Sequence, residues 1–138
     1  MFRTLDERTA VAGQLMPDDM QAVADAGYCI VINNRPDGEE PGQPTSEEMA
    51  EAASAAGLAY HAVPMGQAGI SQPMLDETVK ILRNAKAPLL AFCRSGTRST
   101  LLWAVARSRL GDDAATLFDK AGSAGYDLSP VRGLLGKD

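Results

Sequence analysis

Short apolar runs alternate along this chain with segments in which apolar residues recur every three or four positions. The clearest runs cover residues 28–33, 59–64 and 89–92, and each is continuous rather than alternating. Continuous runs of this length are typical of strands covered on both faces. Residues 2–5 and 9–15 are predicted to form a short N-terminal hairpin. The pattern therefore predicts an α/β fold with a mainly parallel sheet flanked by helices.

The helical segments carry recognisable start and stop signals. Thr45 and Glu48 have the spacing of a capping box, and Gly57 ends the pattern that follows them. Pro17 suits the first turn of a helix that ends before Gly27. Four further helices are predicted, and they begin at Ser71, Ser99, Asp112 and Ser129.

Composition narrows the class of protein. The length of 138 residues is that of one domain, so residues 1–138 are predicted to form a single catalytic domain. A formal net charge of −5 gives no support to nucleic-acid binding. No apolar run approaches a membrane span, and the first residues lack a secretory apolar region. We therefore expect a cytoplasmic protein that does not bind nucleic acid or membranes.

The cysteine and histidine content adds two expectations. Cys29 lies in a predicted core strand and Cys93 in a loop, so a disulfide is not expected and the compartment should be reducing. One histidine and two distant cysteines do not make a zinc-ligand cluster, so no metal site is predicted.

The candidate chemistry lies where the third apolar run ends. Cys93 follows the run directly, a Gly-containing loop with Arg94 and Arg98 comes next, and a helical pattern then begins. Successive backbone N–H groups in such a loop point inward, and the helix N-terminus adds its positive dipole end. The loop should therefore bind an anion and hold Cys93 as a thiolate, the nucleophilic form. Cys93 and Arg98 are the predicted catalytic residues.

Other residues are assigned to the same pocket because the carboxyl ends of parallel strands meet at one edge of a sheet. The loops after Asn33, Pro64 and Phe92 should converge there. Ser99 is predicted to cap its helix and to donate a hydrogen bond to the Cys93 sulfur. The predicted substrate-binding residues are Arg94, Ser95, Gly96, Thr97, Ser99, Arg35 and Asp37.

Several of the polar residues also have simpler structural explanations. Residues 34–38 (Asn-Arg-Pro-Asp-Gly) form a turn sequence, which explains Arg35 and Asp37 equally well. His61 lies inside a predicted strand and is expected to be a core histidine, and Cys29 is likewise expected in the core. The acidic residues are expected to form a solvated face, and they are Glu39, Glu40, Glu47, Glu48 and Glu51.

Three chemistries use a cysteine in a loop of this kind. Tyrosine and dual-specificity phosphatases attack phosphorus with the thiolate, while an arginine holds two phosphoryl oxygens. Rhodanese-type sulfurtransferases attack a sulfane sulfur and stabilise the resulting cysteine persulfide. Arsenate reductases follow cysteine attack with disulfide exchange.

The hexapeptide at residues 93–98 (Cys-Arg-Ser-Gly-Thr-Arg), followed by Ser99, resembles the active-site loop of single-domain rhodaneses. Four residues separate Cys93 from Arg98, one fewer than in phosphatases of the cysteine class. A shorter ring of N–H groups fits a sulfur atom better than a tetrahedral phosphoryl group. The resemblance implies sulfur transfer through a covalent cysteine persulfide, without a cofactor.

The rest of the chain resembles compact dual-specificity phosphatases at residues 14–19, 30–37 and 57–64. More narrowly, residues 2–110 resemble the small bacterial phosphatase-like domain that occurs alone or fused to a beta-lactamase-like metallohydrolase. That family is described as phosphatase-like in fold, with rhodanese-like activity in some members. Because fused versions occur beside sulfur dioxygenase chemistry, the resemblance implies a sulfide-oxidation metallohydrolase as a partner.

The leaving group offers one further distinction between phosphate ester hydrolysis and sulfur transfer. Dual-specificity phosphatases usually carry an aspartic acid in the loop after the strand that corresponds to residues 59–64. This acid protonates the leaving oxygen. Residues 65–70 contain no carboxylate here, and Asp37 on the neighbouring loop is the only substitute. Sulfane transfer from thiosulfate needs no such acid because sulfite is already a good leaving group.

Together these features predict a cysteine-phosphatase-like domain that acts on a small anionic substrate. The main hypothesis is a sulfurtransferase that moves a sulfane sulfur from thiosulfate or a persulfide onto Cys93, then to a thiol or other acceptor. The alternative is a phosphatase that uses Cys93 and Arg98, forms a phosphocysteine and takes Asp37 as its acid. A second alternative is a non-catalytic anion- or persulfide-sensing module that acts through a partner protein.

Overall fold

The computed structural model describes residues 2–136 and contains one five-stranded sheet with the order β1-β2-β5-β3-β4. β1 is antiparallel to β2, whereas the other neighbouring pairs are parallel. The predicted N-terminal hairpin and the mainly parallel sheet are both confirmed. The strands are Arg3–Thr4 (β1), Thr9–Ala12 (β2), Ile30–Asn33 (β3), Ala59–Ala62 (β4) and Leu89–Phe92 (β5).

Helices cover both faces of the sheet. A 3-10 turn at Pro17–Asp19 leads into the first helix, and a second 3-10 segment at Ser129–Leu134 follows the last. The helices are Met20–Asp25 (α1), Ser46–Ala55 (α2), Gln72–Asn84 (α3), Thr97–Arg109 (α4) and Ala114–Ser123 (α5). No helix among the described residues has both the length and the apolarity needed to cross a membrane.

The helix starts test the capping signals in the sequence. The capping box of Thr45 and Glu48 is present at α2, with the Glu48 N–H donating to Thr45 Oγ1. Asp113 rather than Asp112 caps α5, because the Asp112 carboxylate pairs with Arg107. The prediction that Asp112 begins this helix is therefore wrong by one residue.

Strand β5 shows why its sequence is a continuous apolar run. Its residues are all buried, and they alternate between two apolar clusters on opposite faces of the sheet. Leu89 and Ala91 join the cluster of α3, α4 and α5, whereas Leu90 and Phe92 join the cluster of α1 and α2. A strand covered on both faces needs apolar side chains at every position. β5 therefore holds the residue that follows it, Cys93, in the centre of the fold.

Helix α4 runs back through the core from the end of the cysteine loop. Eight consecutive residues at 99–106 are buried, including Trp103. This burial explains why the first half of the helix is apolar almost all round. The burial of these residues positions the first turn of the helix beside Cys93.

Two of the simpler structural predictions need correction or qualification. Cys29 is exposed, because it lies just before β3 at the amino edge of the sheet rather than within the core. His61 lies on β4, which is an edge strand, and is only half-buried.

Candidate active site

The loops at the carboxyl ends of the parallel strands meet around Cys93. Arg98 Nη1 donates to the Met65 carbonyl after β4 at 2.7 Å, and the Asn34 N–H after β3 donates to the Phe92 carbonyl at 2.8 Å. The predicted convergence of these three loops is confirmed. The loop after β2 joins them as well, since the Gln14 N–H donates to the Arg94 carbonyl at 3.1 Å.

The backbone of the cysteine loop is held with its carbonyl groups bonded to the surrounding elements. The Arg94 carbonyl accepts from the Gln14 N–H, and the Ser95 carbonyl accepts from the Tyr126 hydroxyl at 3.1 Å. The Gly96 carbonyl accepts from Thr100 Oγ1 at 2.8 Å within α4. In a trans peptide the N–H points opposite to the preceding carbonyl. Carbonyls held to the outside therefore turn N–H groups toward the centre of the loop.

Cys93 lies at the bottom of this loop and is fully buried. The Gly96 N–H donates to its Sγ at 3.1 Å. Gly96 is also the residue before the first turn of α4, and it has a φ of +89°. This conformation suits glycine, which has no Cβ to clash. The helix N-terminus and the Gly96 N–H therefore both direct positive electrostatic potential at the Cys93 sulfur.

Arg98 is fixed by three of the five N–H groups of its guanidinium. Nη1 and Nη2 donate to the two carboxylate oxygens of Glu39 at 2.8 Å each, and Nη1 also donates to the Met65 carbonyl. The other two groups, Nε–H and the second Nη2–H, share one edge of the guanidinium. That edge is the fork that binds two oxygens of an anion. Glu39 raises the pKa of Arg98, and the nearby Cys93 sulfur adds to the effect.

Glu39 joins two arginines at the mouth of the site. Besides its bidentate pair with Arg98, it accepts a hydrogen bond from Arg35 Nε at 2.8 Å. These arginines, Arg98 first, lower the pKa of Glu39 to about 2, so it is a carboxylate at neutral pH. Glu39 is exposed, as expected of the acidic face, but it is also the ion-pair partner of two arginines. Its neighbours in sequence, Glu40 and a Pro-Gly pair, gave no sign of this contact.

Arg35 anchors the loop after β3 through a buried side chain. Its side chain is 1% exposed, and it donates to Gln14 Oε1 at 2.9 Å as well as to Glu39. Its Nη2 also lies 3.1 Å from Glu40 Oε1. Arg94 lies at the rim instead, with its side chain 70% exposed and 3.9 Å from Glu40. Arg35 thus reaches the cysteine loop through Glu39, and the roles of both arginines in substrate binding stay predictions.

The hydroxyl groups of the loop bond to one another and to the neighbouring strand loop. Ser95 Oγ donates to Thr97 Oγ1 at 3.0 Å on the exposed side. Ser99 is buried inside α4 and donates to Asn34 Oδ1 at 2.8 Å. The prediction that Ser99 caps the helix and donates to Cys93 is wrong, because α4 already begins at Thr97 and the hydroxyl proton goes to Asn34.

The loop after β4, at residues 65–70, contains no carboxylic acid that could protonate a leaving group. Asp37 is exposed, and its Oδ1 accepts from the Ser46 N–H at 2.8 Å, at the start of α2. Glu39 is held ionised by its two arginines. The role of Asp37 as an acid stays a prediction. Among residues 2–136, no group of three or more His, Cys, Asp or Glu side chains could hold a metal ion.

Residues 1–110 match the family model of the phosphatase-like domain of beta-lactamase hydrolase-like proteins. The chain belongs to this family. A beta-lactamase hydrolase-like protein of Xylella fastidiosa is 35% identical over 125 residues, which is 90% of this chain. The chain spans only 29% of that relative's length, so the relative contains much that has no counterpart here.

Solved structures place the fold among the cysteine phosphatases. A candidate phosphatase from Neisseria meningitidis is 31% identical, with a TM-score of 0.81 over 95% of this chain and 93% of that one. Tk-PTP in its active form has a TM-score of 0.71 over 93% of this chain and 87% of its own, at 16% identity, which shows the fold alone. The predicted cysteine-phosphatase-like fold is confirmed. The comparisons support the phosphatase alternative better than the sulfurtransferase hypothesis, for which they give no support.

Proposed function

We propose that this domain is a cysteine-dependent phosphatase that hydrolyses small phosphate monoesters through a phosphocysteine intermediate. The observation that carries the proposal is that Cys93 and Arg98 lie on one loop, and that the bonds of Arg98 to Glu39 and Met65 leave its Nε–H and second Nη2–H for an anion. The Gly96 N–H donates to the sulfur, and Glu39 with Met65 holds the guanidinium. Membership of a phosphatase-like family supports the same chemistry.

The reaction would proceed in two displacements at phosphorus. In the first, the Cys93 thiolate forms the S–P bond while the bond to the ester oxygen breaks and the leaving group departs with the electron pair. Arg98 would bind two equatorial oxygens through Nε–H and Nη2–H, and the loop N–H groups would stabilise the charge that remains. In the second, water attacks phosphorus, the S–P bond breaks with its electron pair returning to Cys93 as thiolate, and phosphate leaves with the two protons of the water.

The site has a consequence for the kind of ester that would be cleaved. A leaving oxygen that departs as a stable anion needs little protonation, whereas an alkoxide needs an acid. Asp37 is engaged at the start of α2, and Glu39 is ionised. We therefore expect aryl phosphates to be cleaved much faster than alkyl phosphates. Asp37→Asn should leave the aryl phosphate rate within about twofold, since the asparagine Oδ1 can accept the same hydrogen bond from the Ser46 N–H.

Sulfur transfer is the second candidate, because only four residues separate Cys93 from Arg98. In that reaction the Cys93 thiolate would attack the sulfane sulfur of thiosulfate, the S–S bond would break, and sulfite would leave with the electron pair. A thiol acceptor would then remove the sulfur from the persulfide. A sulfide-oxidation metallohydrolase would be the corresponding partner, as the family resemblance of the sequence implies.

One pair of assays separates the candidates. Wild-type protein, Cys93→Ser and Cys29→Ser are each given an aryl phosphate and, separately, thiosulfate with a thiol acceptor. We expect aryl phosphate hydrolysis that Cys93→Ser abolishes and Cys29→Ser retains. Thiosulfate turnover with a sulfur mass added to Cys93, and no phosphate release, would replace the phosphatase proposal by sulfur transfer. Absence of both activities would point to the sensing module.

A further inference from the structure

One side chain beyond the family match reaches the cysteine loop. The match ends at residue 110, whereas Tyr126 follows α5 in a turn at Gly125, which has a φ of +94°. Its hydroxyl donates to the Ser95 carbonyl at 3.1 Å. A Cβ on Gly96 would collide with the same hydroxyl, so Tyr126 packs directly against the loop.

The carbonyl that Tyr126 binds belongs to a peptide group with a second function. The Ser95 carbonyl and the Gly96 N–H are the two ends of one peptide unit, and that N–H donates to Cys93 Sγ at 3.1 Å. Because the unit is planar and trans, fixing the oxygen fixes the direction of the N–H. A hydrogen bond to the carbonyl also polarises the peptide and strengthens its N–H as a donor.

We propose that Tyr126 is a positioning residue for Cys93, holding and polarising the Ser95–Gly96 peptide so that its N–H stabilises the thiolate. The inference rests on the proposed nucleophile but not on which substrate Cys93 attacks. It assigns to the segment after residue 110 a part in the chemistry of the loop.

The tyrosine is itself held by the N-terminal hairpin and by α5. The Arg3 guanidinium lies 5.4 Å from the centre of the Tyr126 ring, and its Nη1 donates to the Ala124 carbonyl at 3.0 Å. The Tyr126 N–H donates to the Ala121 carbonyl at 2.9 Å. Partial burial raises the pKa of Tyr126, so its hydroxyl is protonated and able to donate at neutral pH.

The test isolates the hydroxyl from the other charges around the sulfur. Tyr126→Phe retains the ring under Arg3 and removes one hydrogen bond. It leaves in place the titratable and charged groups that surround the loop, which are Arg94, Arg98, Arg35, Glu39, Glu40 and Arg3. A shift in the ionisation of Cys93 in this variant can therefore be assigned to the hydroxyl.

Ionisation of Cys93 is followed by the ultraviolet absorbance of the thiolate as the pH is raised. The parent is Cys29→Ser, which removes the exposed thiol, and Cys29→Ser with Cys93→Ser supplies the background. We expect Tyr126→Phe to raise the midpoint of the transition by about half a pH unit, roughly a threefold loss of thiolate below the midpoint. Tyr28→Phe is the control, because Tyr28 packs on Phe2 just before β3.

A second measurement follows the Gly96 amide proton by NMR. In the parent its resonance should move as Cys93 ionises, and Tyr126→Phe should reduce that movement. An unchanged midpoint together with an unchanged amide response would overturn the proposal, even if the melting temperature fell, because that result describes a purely structural contact. Neither measurement uses a substrate, so failure of the phosphatase proposal would leave this test intact.

Discussion

The two cysteines of the chain stand next to neighbouring strands, yet the sheet gives them opposite surroundings. Cys29 lies immediately before β3 and Cys93 immediately after β5, and these strands pair in parallel. Cys29 is exposed, with its Sγ 3.8 Å from the Gly27 carbonyl. Cys93 is buried and accepts the Gly96 N–H. One thiol faces a carbonyl oxygen and the other faces an N–H donor.

The difference follows from strand direction rather than from residue type. A parallel strand at its carboxyl end is followed by the N-terminus of the next helix, which presents N–H groups. Before a strand, the chain arrives from the C-terminal end of a helix, which presents carbonyl groups. A cysteine therefore acquires an anion-stabilising site at one edge of this sheet and not at the other.

The largest expected effect tests the two thiols directly. Cys93→Ser should lower turnover on the order of 10³-fold or more, because a serine hydroxyl is not ionised by the loop, whereas Cys29→Ser should leave it within about twofold. Steady-state rates of both variants on the same substrate measure this. Activity that survived Cys93→Ser but not Cys29→Ser would reverse the comparison.

The second test uses the glycine that lies closest in sequence to each cysteine on its loop side. Gly96 and Gly27 both have positive φ, +89° and +99°, but a Cβ meets Tyr126 only at Gly96 and meets nothing within 4 Å at Gly27. Gly27→Ala should lose about 1 kcal/mol of unfolding free energy from backbone strain alone, and Gly96→Ala should lose more because its Cβ also meets the Tyr126 hydroxyl. Only Gly96→Ala should also lower turnover, by about 100-fold, because it displaces the donor to Cys93.

Denaturant unfolding and steady-state kinetics on the two glycine variants separate strain from chemistry. Equal losses of activity would show that backbone strain alone accounts for the effect. A Gly96→Ala protein that kept full activity would show that the Gly96 N–H does not assist Cys93.

The smallest expected effect concerns Glu39, which pairs with Arg98 on the Cys93 side of the comparison. Glu39→Gln weakens the hold on Arg98, and we expect kcat/KM to fall about tenfold and the free energy of unfolding to fall about 1 kcal/mol after solvent screening. Glu51→Gln is the matched control, since Glu51 lies exposed on α2. Equal kinetics for both variants would exclude a role for Glu39 in holding Arg98.

The pH dependence of this contribution has a defined sign. The pKa of Glu39 falls from 4.5 to about 2 on folding, so its stabilisation is complete above about 4.5 and is lost as the pH drops toward 2. The stability difference between wild type and Glu39→Gln should shrink over that range. A difference that stayed constant down to pH 2 would contradict the ion-pair interpretation.

The sequence carried most of the fold because β5 and its neighbours are covered on both faces. Leu90 and Phe92 face one apolar cluster, and Leu89 and Ala91 face the other. Because every residue of β5 is buried, its sequence is a continuous apolar run. The sequence pattern predicts a buried Cys29 because the apolar run begins at Tyr28, whereas the strand begins two residues later at Ile30. A run of apolar letters does not mark where pairing starts.

The site was predictable where neighbours in sequence are neighbours in space. Cys93, Gly96 and Arg98 lie on one loop, so their spacing alone indicates an anion site. Glu39 could not be found in this way, because its partner Arg98 lies 59 positions away. The Ser99 contact was missed for a related reason, since its acceptor is Asn34 on another strand loop, 65 positions away.

The contact between β1 and the turn after α5 bears on how long a fragment must be to keep the cysteine loop supported. Arg3 reaches the Ala124 carbonyl and the Tyr126 ring from the other end of the chain. A fragment cut at residue 110, the limit of the family match, would retain Cys93 and Arg98 but lose this closing contact. The family match thus marks what relatives have in common, and we expect that a fragment must extend at least to Tyr126 to keep the contact with the Ser95 carbonyl.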